Sequence, residues 1–139
     1  MMIFTDTITL YNHYKEDGHD KWQRTVLFGC QWRRKILRTV DSAGKIIKTV
    51  EFSVTIPERE GYVCSKDWLT LADKKGKWTI DTDHNLDILT LGECKSELSE
   101  IYTPNMLKKD RQDTIIAGSL SDNTNRDHLK HWRVISKWI

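Results

Sequence analysis

A chain of 139 residues is long enough for one domain that buries about two-thirds of its unfolded surface, and its 22 Lys and Arg against 20 Asp and Glu leave a net charge of only +2. That balance excludes a whole-molecule electrostatic case for nucleic acid or an anionic membrane, so any charged partner must be met locally. Six tryptophans, each able to bury roughly 150–250 Å², can anchor a core without help from disulfides.

The opening Met1-Met2-Ile3-Phe4-Thr5-Asp6 lacks the basic region and apolar run of a signal peptide. No stretch approaches the ~18 apolar residues of a membrane span, so the chain reads as soluble and unexported. Cys30, Cys64 and Cys94 are widely spaced with no C-x-x-C pair. Neither a disulfide framework nor a thiolate zinc site is indicated, and reduced, buried cysteines are expected.

In chain order, Thr7-Ile8-Thr9-Leu10-Tyr11 alternates as a strand does, and Trp22, Val26 and Phe28 share a face with Arg24 between them, the pattern of a half-buried strand. The clearest hairpin joins 31–40 to 46–56 through Asp41-Ser42-Ala43-Gly44, with Ile46, Val50, Phe52, Val54 and Ile56 on one face and Lys48 as the polar intruder. Pro57 removes a ladder donor and ends that strand.

From Ser65 to Gly76 the period becomes helical: Ser65 caps, Trp68, Leu71 and Ala72 fall at i, i+3 and i+4, and Gly76 supplies a left-handed stop. Trp78-Thr79-Ile80 and 88–91 resume strands. The charged stretch 95–112, broken at Pro104, reads as a flexible or partly helical connection. A final strand pair, 114–120 with 129–138, is linked by the polar run Ser121 to Asp127. The expectation is a single β-rich domain over 1–139, mainly β: a small antiparallel β-barrel or sandwich with one short helix and a long charged connection. Trp22, Trp32, Trp68, Trp78 and Trp132 are its structural core.

Several constellations invite a chemical reading. Asp81-Thr82-Asp83-His84-Asn85-Leu86-Asp87 opens like a calcium loop, but Leu86 stands where the sharp turn needs Gly and Gly92 where a bidentate Glu is required. Left extended, its acids share one solvated face. His128 and His131 lack a third ligand nearby, and on a strand they face opposite ways. No metal or other cofactor is expected. Neither a Gly-rich phosphate loop nor a nucleophile elbow occurs, although a hydrolase could still be assembled from scattered residues such as His131 and Asp122.

Charge is more informative than any of these. The segment 21–48 carries eight cations against Asp41, including Arg33, Arg34, Lys35, Arg38, Lys45 and Lys48, for a balance of 8 − 1 = +7. The segment 81–100 carries Asp81, Asp83, Asp87, Glu93, Glu97 and Glu100 against Lys95, for 1 − 6 = −5. On separate faces, these would let copies associate head to tail, and a closing rotation would make a ring; alternatively, they neutralise each other within one molecule. The basic hairpin is also a candidate nucleic-acid surface, with phosphates meeting Arg and bases stacking on Trp22 and Trp32.

Asp20-Lys21-Trp22-Gln23-Arg24-Thr25-Val26, Trp32, Ile56-Pro57, Trp78-Thr79-Ile80, and Ser121-Asp122-Asn123 followed by His131-Trp132-Arg133-Val134 resemble, in this order, a family of small, uncharacterised proteins of tailed bacteriophages and prophages. The similarity spans most of the chain. Genes of that family sit in the virion-structure region, among those for head-tail joining and minor capsid proteins, so the resemblance implies a neck or connector component. It implies no activity and brings no catalytic residue. Asn123-Thr124-Asn125 departs from the pattern, where Arg and Gly are more usual.

The function expected from the sequence is therefore a non-enzymatic structural component of a phage virion, made in the bacterial host cytoplasm. It would bind its own copies or neighbouring neck, portal or tail proteins, with no membrane and no small-molecule substrate. The alternatives are a nucleic-acid-binding accessory protein and an unrecognised hydrolase.

Overall fold

Alternating apolar and polar residues from Asp6 onward favour extended backbone, and the computed structural model, which describes residues 4–136, realises this as six strands among those residues. They are β1 (Asp6–Glu16), β2 (His19–Val40), β3 (Ile46–Pro57), β4 (Ile88–Leu91), β5 (Thr114–Asp122) and β6 (His131–Ser136). Two short helices, α1 (Ser65–Trp68) and α2 (Pro104–Asp110), interrupt them. The expected Trp138 lies outside the described residues.

All strand pairings are antiparallel, and they close a barrel-like ring in the order β1-β2-β3-β6-β5-β4 and back to β1. Two strands turn its corners. β2 pairs with β1 as far as Cys30 and with β3 from Gln31 onward, while β5 leaves β4 at Ile116 and joins β6 at Ala117. A register shift marks each corner, as strands that change sheets require. At the first, Gly29 takes φ 72°, a left-handed backbone that glycine adopts without a Cβ clash.

That bulge changes the reading of β2. The two segments expected there are one 22-residue strand, and Leu27 and Cys30, three apart, are both buried in the barrel core. Trp22, Val26 and Phe28 do share a face, but it is the outer one, and Phe28 is 62% exposed. Inside, Ile8, Leu10, Leu27, Val54, Ile56, Leu89, Ile115 and Val134 pack with Trp78 and Trp132.

The chain between β3 and β4 departs most from expectation. α1 spans only four residues and has no side-chain cap, although Trp68 is buried as read and Gly76 has the positive φ of 74°. Trp78-Thr79-Ile80 is buried but forms no strand; Trp78 makes one isolated parallel bridge to Tyr62. Its indole stands edge-on to Trp132 with centroids 5.2 Å apart, and Tyr62 lies 4.5 Å from Trp132. This aromatic trio joins the insertion to the barrel interior.

The stretch 95–112 is partly helical. Pro104 opens α2 instead of breaking a helix, because at the first position its missing N–H would have no intrahelical partner. Leu98 and Leu107 are buried with Tyr11, Ile88 and Cys94 in a second cluster on the outer side of the sheet. β1 is thus covered on both faces, and every residue from Ile8 to Asn12 is fully buried. Of the cysteines, Cys30 and Cys94 are buried and unpaired, while Cys64 is exposed, contrary to expectation.

Trp132 is 4% exposed and wedged between Trp78 and Tyr62, so Trp132→Ala is expected to cost about 3–5 kcal/mol. Urea unfolding followed by fluorescence measures this, and a loss below about 1 kcal/mol would place the ring outside the core.

Candidate functional site: a basic and apolar β-arm

β1 parts from β2 at Cys30, and β6 pairs with β3 only at 53–57. Beyond these points, among the described residues, 34–40 and 46–52 are laddered only to each other. The hairpin therefore projects from the ring as an arm of about 25 Å at 3.3 Å per residue. Its tip is pinned by hydrogen bonds: Asp41 Oδ1 accepts from the backbone N–H of Ala43 at 2.9 Å and of Lys45 at 2.8 Å, with Gly44 at φ 81°.

The register sorts the arm's side chains into two faces. One continues the inward row of Trp32 and Val54 and sets Arg34 opposite Phe52, Ile36 opposite Val50, Arg38 opposite Lys48 and Val40 opposite Ile46. On the other, Arg33 faces Ser53, Lys35 faces Glu51, Leu37 faces Thr49 and Thr39 faces Ile47. The row expected on the second strand exists, but only its base is in the core. Val54 and Ile56 are buried, whereas Val50, Ile36, Ile46 and Val40 are 37%, 49%, 62% and 68% exposed.

Two physical costs coincide there. Like charges directly across a ladder repel, and Arg38 and Lys48 face each other with no carboxylate within ion-pair range among the described residues. An isolated two-stranded ribbon is also marginal in water, and this one leaves four aliphatic side chains of one face, and Ile47 on the other, in solvent. A partner carrying acids and apolar surface would relieve both.

The acidic segment is not the uniform surface expected. Asp87 is buried, accepting from Asn12 Nδ2 at 2.9 Å and from the backbone N–H groups of His13 and Asp81 at 2.9 and 2.8 Å. It therefore belongs to the interior, not to an interaction surface. Asn12 also donates to Thr79 O and accepts from Thr79 N, so this polar knot fixes the insertion to β1. Asp81 is committed to Asp83 N and His84, and with Asn85 at φ 60° the alternate residues Asp81, Asp83, Asn85 and Asp87 do not line one extended face. Glu100 accepts from Asp20 N at 2.9 Å. Asp83, Glu93 and Glu97 remain exposed. No ion pair joins the basic and acidic segments among the described residues, so they do not neutralise each other directly.

The remaining candidates are dispersed. His131 contacts Leu129 O through Nδ1 and the Asn123 amide through Nε2, while the Asp122 carboxylate accepts from Thr124; they do not form a catalytic pair. Trp68, Trp78 and Trp132 are buried, while Trp22 and Trp32 are half-buried at the edges of the two clusters. Trp22 donates to Leu86 O.

A family model matches residues 3–137, a span that runs through all eight elements and the arm. The chain belongs to DUF6751, a family of unknown function. No curated protein and no solved structure matches it. Among the described residues of this DUF6751 protein, no helix is long and apolar enough to cross a membrane.

Sequence reasoning missed Lys130 and Arg133. Alternation around Trp132 places Arg133 outward, but only the β3–β6 register shows that it stands beside Arg33 and Ser53 on the other side of β3.

Burial raises the Asp87 carboxyl from 3.8 to about 6, despite the opposing hydrogen bonds from His13 N, Asp81 N and Asn12. Because the folded value is the higher one, the native state holds this proton longer than the unfolded state, and stability is lost as pH rises through about 6. Measured against Asp87→Asn, the wild type should lose about 2 kcal/mol between pH 4 and 7. Denaturant titrations of both proteins test this, and a pH-independent difference would refute it.

Proposed function

We propose that this DUF6751 protein is a non-enzymatic structural subunit of a tailed-phage particle, a head-tail joining or minor capsid component that binds other polypeptides through its arm. The observation that carries the reading is the arm's inward-continuing face, where exposed Ile36, Val40, Ile46 and Val50 alternate with Arg34, Arg38 and Lys48, which have no ion-pair partner among the described residues. Covering half-exposed aliphatic side chains yields about 1 kcal/mol each, and an opposing carboxylate relieves the Arg38–Lys48 repulsion. Apolar surface flanked by one sign of charge fits a protein partner of opposite charge.

A neighbouring copy offers such a surface. Exposed Leu86 and Ile101 lie by the β1–β2 turn, tied there by the Trp22–Leu86 and Asp20–Glu100 hydrogen bonds, with Asp83 and Glu97 exposed nearby in sequence. Docking arm to turn is heterologous, so repetition closes a ring wherever the rotation permits. The place in a virion, and host-cytoplasm synthesis, are supported by the resemblance of the Trp22, Trp78 and Trp132 segments to phage proteins, and neighbouring portal or tail proteins are the other partners in that setting.

Reversing Arg34, Arg38 and Lys48 to Glu should leave the unfolding free energy within about 0.5 kcal/mol, since these side chains are solvated, while reducing assembly. Light scattering on the protein alone, and mixed with candidate portal and tail proteins, reads the mass. Undiminished complexes in the triple variant would remove the arm from the contact.

A further inference from the structure

A second surface, distinct from the arm's apolar face, lies on the outer side of the sheet where β2, β3 and β6 run together. A groove of about 390 Å³ opens there, lined by Arg33, Lys130, His131 and Arg133, with Phe4 and Leu129 among its apolar walls. Among the described residues, no carboxylate lines it. The two arginines flank β3: Arg33 stands across from Ser53 on one side, and Arg133 across from Thr55 on the other. Arg133 is steered by its Nε donating to Ser53 Oγ at 2.9 Å. Neither arginine, nor Lys130, has an acidic partner within ion-pair range among the described residues.

We propose that this groove binds the phosphodiester chain of a nucleic acid, with Arg33, Lys130 and Arg133 each meeting a phosphate. The inference goes beyond the assembly role and does not depend on it. Three cations crowded without a counter-charge favour an anion of repeating charge, and arginine presents a planar fork that matches phosphate oxygens. The His131 ring is engaged on both sides, by Leu129 O and by the Asn123 amide, which fixes the wall between Lys130 and Arg133. Leu129, 71% exposed, and Phe4 give a base an apolar surface to lie against, so a single strand fits better than a duplex, whose bases are already stacked.

The test uses the full-length protein and a labelled single-stranded oligothymidylate of about 16 nucleotides, with fluorescence anisotropy read across a salt series. Counterion release from three contacts predicts log Kobs falling against log salt with a slope of about −2. Arg133→Gln and Lys130→Gln should each reduce that slope by about 0.7. Arg33→Lys, which keeps the charge, should preserve it and so separate loss of charge from loss of fold. Arg38→Gln with Lys48→Gln, on the opposite face of the arm, should change nothing.

The proposal is overturned by no measurable binding at low salt, or by equal losses from the arm-face and groove variants. Equal displacement by inorganic phosphate would show a single-phosphate site, and equal displacement by polyglutamate would show that any polyanion suffices. Either result would also exclude the nucleic-acid reading. The arm's part in assembly is read by mass with different variants, so the two ideas fail separately.

Discussion

Closure of the strand ring is the constraint on which the rest of this structure depends. A sheet of six strands left open would carry two edges of unpaired N–H and C=O groups, an invitation to indiscriminate pairing. Here β1 is laddered to β2 on one side and to β4 on the other, so the body of the domain is paired all round. The hairpin of β2 and β3 is where this accounting stops, because among the described residues its strands outrun their neighbours. Free edges, bare aliphatic side chains and cations without a described counter-charge all occur on that projection. A fold that pairs its own strands so thoroughly elsewhere concentrates its unsatisfied surface on one projection by geometry.

Closure in turn needs β1 to sit still. Its inner residues Ile8 and Leu10 fill the barrel, and its outer residues Thr9 and Tyr11 are held by the segment that follows β4. Thr9 Oγ1 donates to Gly92 O and accepts from Cys94 N, and Tyr11 donates to Ser96 O at 2.6 Å. Asn12 then reaches Thr79 and Asp87. One strand thus organises three layers: the core, an outer cover, and the insertion that carries Trp78. A buried carboxylate is an expensive way to fasten a loop, and its hydrogen bonds compensate only in part, since the Asp87 carboxyl still holds its proton up to about pH 6.

The sequence was legible wherever local chemistry decides the outcome. The hairpin through Asp41 and Gly44, the strand at 88–91, the β5–β6 pair and the stop at Pro57 all appear, because turn residues and alternation act over a few positions. Long-range effects were not legible. A single bulge at Gly29 puts Leu27 and Cys30, three apart, on the same inner face, so the Trp22–Val26–Phe28 row ahead of it lies outside while Trp32 after it continues the inner row. Trp78-Thr79-Ile80 has the composition of a strand but finds Tyr62 and the Asn12 side chain instead of a ladder partner. Asp87 reads as one acid among several, and only tertiary packing shows that it is interior. For the candidate surfaces, the cations of the hairpin were visible as a cluster. Their division between two faces, and the arrival of Lys130 and Arg133 beside one of them, follow from register alone.

β2 runs without a break from the turn at His19 to the arm's tip at Val40, passing from one side of the ring to the other on the way. Traction applied at the tip along the strand axis would draw β2 and β3 together, load in shear the bonds that they make to β1 and β6, and deliver the tension into the barrel wall. The same force applied sideways would bend the two-stranded ribbon at its base. The projection is consequently anisotropic, stiff along its length and yielding across it.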